Sequence, residues 1–209
     1  NLRNMIKDGS SLKLEGLERT VSSSTLLSLE ATCQAFEQFD IRRAISFHSR
    51  IKRAADFATA IGPYQEWSKR STRSDAQTVS GTMNAAVRKK RISWLQSATT
   101  DTHLLTNARC LTEGIDVPAL DCIIFADPRR SQIDIVQAVG RVMRIDPDKP
   151  QKIGRIIIPV LAPNPNDFDG DNIFADSVFK PVWDILRALK AHDFRLQTEL
   201  NRIRSLTAL

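Results

Sequence analysis

Two arginines three residues apart carry the strongest chemical signal in the chain. They stand in Gln137-Ala138-Val139-Gly140-Arg141-Val142-Met143-Arg144, where helical spacing turns Arg141 and Arg144 to the same side of the backbone. Two guanidinium forks so placed can clamp a polyphosphate, because their planar donors meet phosphate oxygens in pairs and their charge is not titrated away. Gly140 is expected to let this helix approach a neighbour closely. The same octet also fits an ordinary amphipathic helix with a solvated basic edge. A second segment runs from Thr106 to Pro118 and contains Gly114-Ile115-Asp116-Val117-Pro118 directly after the apolar pair Leu104-Leu105. Gly114 permits close backbone approach, and Asp116 can accept hydrogen bonds from ribose hydroxyls. A turn whose aspartate caps backbone amides fits these residues equally well.

The elements that must hold these segments alternate between short β-branched runs and longer helical patterns, which predicts an α/β domain with a parallel sheet. Strands are expected at Arg43 to Phe47, Ala76 to Val79, Thr102 to Leu105, Asp121 to Phe125 and Arg155 to Val160. Helical periodicity runs through Ile51 to Ile61, Asn84 to Ser97 and Gln132 to Val142. The segment Asn84 to Ser97 sets Ile92, Trp94 and Leu95 against Arg88, Lys89, Lys90 and Arg91, so it should lie on the sheet with a basic turn in solvent. In an open α/β sheet the ligand crevice lies at the carboxyl ends of the strands, where the segment after Leu105 is expected to fall. Before residue 40 a Ser/Thr-rich stretch, Thr20 to Thr25, leads into a helix through Leu26, Leu29, Cys33 and Phe36, read as a connector. Past Val160, Pro and Asn residues predict a loop, followed by helices near Ser177 to Lys190 and Asp193 to Arg204. The expected organisation is a helical connector over 1–40, a central domain over 41–160 and a helical extension over 161–209.

At 209 residues, of which 42% are hydrophobic, the chain can bury one sizeable core with extensions but not two full domains. Its longest apolar stretch, Ile156 to Ala162, is interrupted by Pro159 and is far shorter than the roughly 20 residues a membrane-spanning helix needs. No membrane partner is therefore expected. Cys33, Cys110 and Cys122 are odd in number and widely spaced, which fits reduced thiols in a cytoplasm rather than a disulfide framework or a zinc set. A net charge of +6 favours an acidic partner, nucleic acid among them. The chain begins at Asn1 with no secretory address, and reads as a piece of a longer protein.

In order, spacing and residue type, the segments Thr106 to Pro118 and Gln137 to Arg144 resemble motifs V and VI of superfamily-two helicases of the DEAD/DEAH type. The resemblance extends upstream, where Ala44-Ile45-Ser46-Phe47-His48-Ser49-Arg50 looks like motif IV. Val79-Ser80-Gly81-Thr82-Met83 and the helix after it look like the strand, glycine and basic helix of these domains. It covers residues 41 to 160, and its Ala-Val-Gly-Arg-Val-Met-Arg wording is most similar to the restriction- and repair-associated branch. The resemblance implies a RecA-like (P-loop NTPase-like) parallel sheet flanked by helices, acting as the second motor domain of an ATP-dependent helicase or translocase. It implies that Arg141 and Arg144 reach across as arginine fingers to ATP, bound with Mg2+ mainly by a preceding RecA-like domain. Gln137 would assist the nucleotide contact, and Gly114 with Asp116 would line its ribose and phosphate side. Thr106, Ser49, Arg50 and Gly81 would face a nucleic-acid strand, expected to be DNA rather than RNA.

One departure from the family pattern matters. No GxxxxGK[ST] loop and no DExx-type acidic box occur in these residues. The fragment alone is therefore expected to be inactive, with the missing parts supplied before Asn1. Two other readings stay open: a non-catalytic nucleic-acid or protein-binding module from a degenerate helicase, and the motor part of a restriction enzyme. Asp167, Asp169 and Asp171 suggest a calcium loop, but Asn172 and Val178 stand where Gly and Glu are needed, so a solvated loop is expected. His48, His103 and His192 form no metal set by spacing, and His103, inside a strand, is read as packing.

Overall fold

The computed structural model describes residues 2–98, 101–108, 120–128, 130–144, 151–161, 170–175 and 177–192. Within them five strands form one sheet: β1 (Arg43–His48), β2 (Ser74–Ser80), β3 (Thr102–Ala108), β4 (Cys122–Ile124) and β5 (Arg155–Ile157). Their order is β2-β3-β1-β4-β5 and every pairing is parallel. The ladder register sets Ile45 of β1 opposite Leu105 of β3 and Ile123 of β4. Parallel sheets need both faces covered, and successive strand residues point to opposite faces. Accordingly Ala44, Leu104, Cys122 and Ile124 enter one core. Ile45, Phe47, Leu105, Ile123 and Phe125 enter the other.

The first face is covered by α2 (Ser23–Gln38) and α3 (Ile51–Trp67), with the short α1 (Leu2–Lys7) packed on α2. Leu26, Leu29, Cys33 and Phe36 of α2 are buried against this face, so α2 packs as a layer on the sheet. Ser22 caps α2 by accepting a hydrogen bond from the amide of Thr25. The structure extends α3 past Ile61, where Gly62-Pro63 reads in the sequence as a stop. Proline removes only one helical hydrogen bond, and the burial of Tyr64 and Gln65 in the last turn holds the helix together.

On the second face lie α4 (Ala85–Gln96), α5 (Gln132–Val142), α6 (Gly170–Ala175) and α7 (Lys180–His192). Ile92 and Leu95 seat α4 on the sheet, as expected. Trp94 stacks on His103 with ring centroids 4.3 Å apart and planes 6° apart, and the His103 ring also bonds the Trp94 carbonyl at 2.8 Å. His103 is thus a packing residue. Phe174, Phe179, Val182 and Leu186 join α5 in this core, so the described part of the C-terminal helices is core. The expected helix from Asp193 to Arg204 lies outside the described residues. β4 and β5 are shorter than expected, although the ladder continues through Phe125, whose amide donates to the Ile157 carbonyl at 3.0 Å. Pro159 has no amide with which to prolong β5.

Cys33 and Cys122 are both buried free thiols. Burial pushes the Cys33 thiol up to about 12 and raises that of Cys122 as well. Since only the thiolate reacts, iodoacetamide at pH 8 is expected to leave both unmodified in the folded chain and to label both in denaturant. Peptide mass mapping distinguishes the two states, and rapid native labelling of Cys33 would contradict the buried α2 layer.

Candidate functional site

The two ends of a parallel sheet differ chemically, and this chain keeps its candidate residues at both. At the carboxyl edge, β1 ends in His48 and leads through Ser49 and Arg50 into α3. Arg50 is the N-cap of α3, exposed, with extended backbone and no capping bond from its side chain. Three residues past β4 comes Asp127, which is 2% exposed. Its carboxylate accepts from the Ser49 amide at 2.8 Å and from the Ser49 hydroxyl at 2.9 Å. The other carboxylate oxygen pairs with Arg53 at 2.7 Å. His48 is buried, bonded to the Ser46 hydroxyl at 2.9 Å and packed on the Phe57 ring. Together Thr25, Ser28, His48, Arg53, Phe57 and Asp127 line a small notch at this edge.

Two expectations change here. Ser49 is only partly exposed and its hydroxyl donates to Asp127 rather than to solvent. Thr106 is fully buried, its hydroxyl bonded to that of Thr78 at 2.9 Å across the β2–β3 pair. Its hydroxyl is thus committed within the sheet, and the strand-facing position expected of Thr106 is not the one it takes here. Gly81 is exposed in the turn after β2, as a surface role requires. Arg88 shapes that turn, donating to the Met83 carbonyl at 2.6 Å and to the Gly81 carbonyl at 3.4 Å. The guanidinium of Arg88 is therefore partly committed to the backbone.

The arginine pair sits at the opposite edge. Helix α5 starts near the end of β4, capped by the Ser131 hydroxyl, and runs back toward the starts of β4 and β5. Lys152, just before β5, donates to the carbonyl of Val142 at 3.0 Å and to that of Leu120 at 2.5 Å. It thereby ties the last turn of α5 to the amino edge of β4, and its ammonium suits the negative end of a helix dipole. Arg141 lies in that last turn and is 8% exposed. Arg144 is exposed. The helix ends at Val142, and Arg144 follows the C-cap Met143, whose backbone is still in the helical region. Gln137 is exposed one turn before Arg141. Gly140 has nothing within 4 Å of where a Cβ would stand. Among the described residues Gly140 makes no close helix approach, whereas Gly154 makes one.

Gly114 and Asp116 lie outside the described residues.

Sequence reasoning missed Asp127, Arg53, Lys152 and Gly154. An aspartate directly after the apolar run Cys122-Ile123-Ile124-Phe125-Ala126 was a legible signal for a buried carboxylate needing donors. Nothing local marks Lys152 or Gly154. A Cβ on Gly154 would stand 2.4 Å from the Val142 carbonyl oxygen, a backbone atom. Gly154→Ala is therefore expected to destabilise the chain by about 1–3 kcal/mol. A thermal melt reads this, and an unchanged midpoint would show that the last turn of α5 can move freely.

A profile of the helicase conserved C-terminal domain matches residues 28–146, more than half of the chain. A probable helicase of African swine fever virus (A859L, isolate Pig/Kenya/KEN-50/1950) is 30% identical over 97 residues, covering 46% of this chain and 10% of the viral protein. The putative ATP-dependent helicase IRC3 of Saccharomyces cerevisiae is 37% identical over 49 residues, covering 23% of this chain and 7% of the yeast protein. Among solved structures, the ATP-dependent Type ISP restriction-modification enzyme LlaBIII bound to DNA superposes with a TM-score of 0.67 at 28% identity. It covers 87% of this chain and 13% of that enzyme. The chain spans about a tenth of the length of these relatives.

Proposed function

The chain belongs to the helicase conserved C-terminal domain family of superfamily two, with a RecA-like fold, and from that premise we propose that it is the second motor domain of an ATP-driven nucleic-acid translocase. The observation that carries the proposal is the separation of two chemistries on one sheet. Arg50, in the turn after β1, and Gly81, in the turn after β2, occupy the carboxyl edge, and Arg141 with Arg144 occupies the amino edge. Such a domain can grip a phosphate backbone with one edge while the other completes a nucleotide site on a neighbouring domain.

The chain's own residues fit only one side of that site. Arg144, exposed beyond the end of α5, supplies a fork to a γ-phosphate held by the neighbour. Arg141, mostly buried in the last turn, supplies a fixed positive charge beneath it. Asp116 and Gly114 serve the ribose side, and Gln137, exposed on α5, assists the nucleotide contact. ATP with Mg2+ supplies the phosphoryl group whose developing charge these arginines stabilise, and the phosphate-binding loop belongs to the neighbour. Closure of the two domains would bring Arg144 into place, so that hydrolysis follows closure. The grip at the other edge rests on Arg50 and the exposed turn at Gly81, contacting phosphates without reading bases. DNA is proposed as the strand, since the relative with a TM-score of 0.67 is described as bound to DNA.

The test is ATP hydrolysis by a polypeptide in which this chain follows its phosphate-binding domain, measured with and without single-stranded DNA. Hydrolysis that rises severalfold with DNA is expected. A rate indifferent to nucleic acid would remove the motor reading and favour a binding module with another use.

A further inference from the structure

Asp127 lies where a phosphate-gripping edge should not want a carboxylate. It follows β4, borders the notch beside Arg53 and is 2% exposed. Both of its oxygens are engaged, one by the amide and hydroxyl of Ser49, the other by Arg53. Its own amide donates to the carbonyl of Phe47 at 3.2 Å. Asp127 therefore bonds to three consecutive parts of one segment: the end of β1, the turn at Ser49 and the first turn of α3. Arg50 sits in the middle of that segment, and no side-chain cap of its own fixes the start of α3.

We propose that Asp127 is a positioning residue for the nucleic-acid grip, holding the β1–α3 turn so that the Arg50 guanidinium and the first turn of α3 meet a phosphate in a fixed geometry. This rests on the reading of the carboxyl edge as the strand-binding edge. It also redefines Ser49, whose hydroxyl proton is given to Asp127, so that Ser49 acts by fixing the turn and not by donating to phosphate. Arg53, 43% exposed at its side chain, is held against Asp127 and neutralises it within reach of the strand.

The proposal makes an unusual sign prediction. Coulomb's law alone says that removing a carboxylate beside a phosphate path tightens binding, both by lifting repulsion and by releasing Arg53. A positioning role says the opposite when the acceptor for Ser49 is lost. The experiment measures binding of the 209-residue chain to a fluorescein-labelled single-stranded oligothymidylate by anisotropy, over a salt series, with melting as the check on folding. Asp127→Ala is expected to weaken binding at least fivefold and to lower the salt slope by about 0.7, the loss of one phosphate contact on a single strand. Asp127→Asn, which keeps an acceptor for Ser49, is expected to bind as well as or better than the native chain.

Alanine binding as tightly as asparagine, or more tightly than the native chain, overturns the positioning role. Should Asp127→Ala not melt cooperatively, the cycle of Ser49→Ala with Asp127→Asn decides. Because asparagine keeps the acceptor, Ser49→Ala weakening binding about equally in both backgrounds supports a turn held through the Ser49 hydroxyl, and no loss from Ser49→Ala in either background overturns it. Arg50→Ala separates the underlying reading. A native chain that binds no oligothymidylate, or an Arg50→Ala variant that binds it equally well, refutes the strand-binding edge and the proposal with it. Loss of binding in Arg50→Ala with none in Asp127→Ala refutes the positioning role alone.

Discussion

Arg144→Ala is expected to lower the DNA-stimulated turnover of ATP by about a hundredfold or more in a polypeptide that joins this chain to its phosphate-binding domain. An arginine reaching a transferring phosphoryl group from a neighbouring domain is worth about 10³ to 10⁵ in rate, and each tenfold corresponds to about 1.4 kcal/mol of barrier. Arg144 is the exposed member of the pair and follows the C-cap of α5, so replacing it leaves the buried core intact. Arg144→Lys should recover only a small part of the rate, because a point charge does not reproduce the two-pronged fork. Binding of oligothymidylate should survive in both variants, since the grip lies at the other edge of the sheet. A turnover within threefold of the native value in Arg144→Ala would assign the residue to the solvated edge of a basic helix.

The largest expected loss of stability is at the other side of the molecule. Glu30 on α2 is 5% exposed at its side chain and accepts from the Tyr64 hydroxyl at 2.5 Å, from the Gln34 amide at 2.5 Å and from Arg70. Arg70 also pairs with Glu37 at 2.8 Å, and Glu37 accepts from the Ser71 amide at 2.9 Å. These bonds join α2, α3 and the turn into β2. Arg70→Ala leaves the Glu30 carboxylate buried without its countercharge, which costs about 3–5 kcal/mol. The exposed pair Lys52–Asp56, with both side chains more than half exposed, should contribute less than about 1 kcal/mol. Urea melts of Arg70→Ala and Lys52→Ala check this contrast, and equal effects would contradict it.

The same cluster gives a pH dependence. Burial works to raise the Glu37 carboxyl, but hydrogen bonds from Arg70 and Ser71 outweigh it and hold its pKa below the ordinary 4.5. A carboxyl depressed on folding contributes stability that is present above its unfolded value and lost as pH falls through the folded one. Acid unfolding should therefore weaken the α2 layer only below the ordinary carboxylate range, and Glu37→Gln should flatten that part of the curve.

The fold was legible because two independent periodicities agreed. All five strands and α5, the latter to the residue, were foreseen, since a buried parallel sheet writes itself as short apolar runs and α5 has a serine cap and a clear apolar stripe. Boundaries went astray where tertiary packing outweighs local signals, as at Gly62-Pro63, which α3 passes because Tyr64 and Gln65 are buried. The layer role of α2 was hidden because an apolar helical face does not say which surface it covers. At the candidate site, residue type singled out Arg141, Arg144, Arg50 and Gly81, whereas side-chain direction was beyond reach. Thr106 reads as a hydroxyl at a strand end, yet the β2–β3 register turns it onto Thr78. Asp127, Lys152 and Gly154 each act on residues distant in sequence, by 78 positions for Ser49 and Asp127. Spacing cannot carry such a pairing.

The most direct test of the central claim compares ATP hydrolysis, in the presence of single-stranded DNA, by three proteins: the phosphate-binding domain alone, this 209-residue chain alone, and the polypeptide that joins them. A composite site completed by Arg144 and Arg141 predicts that neither part turns over ATP above background and that the joined protein does. Hydrolysis by the phosphate-binding domain alone at the rate of the joined protein would contradict it, since the chemistry would then need nothing from the residues described above.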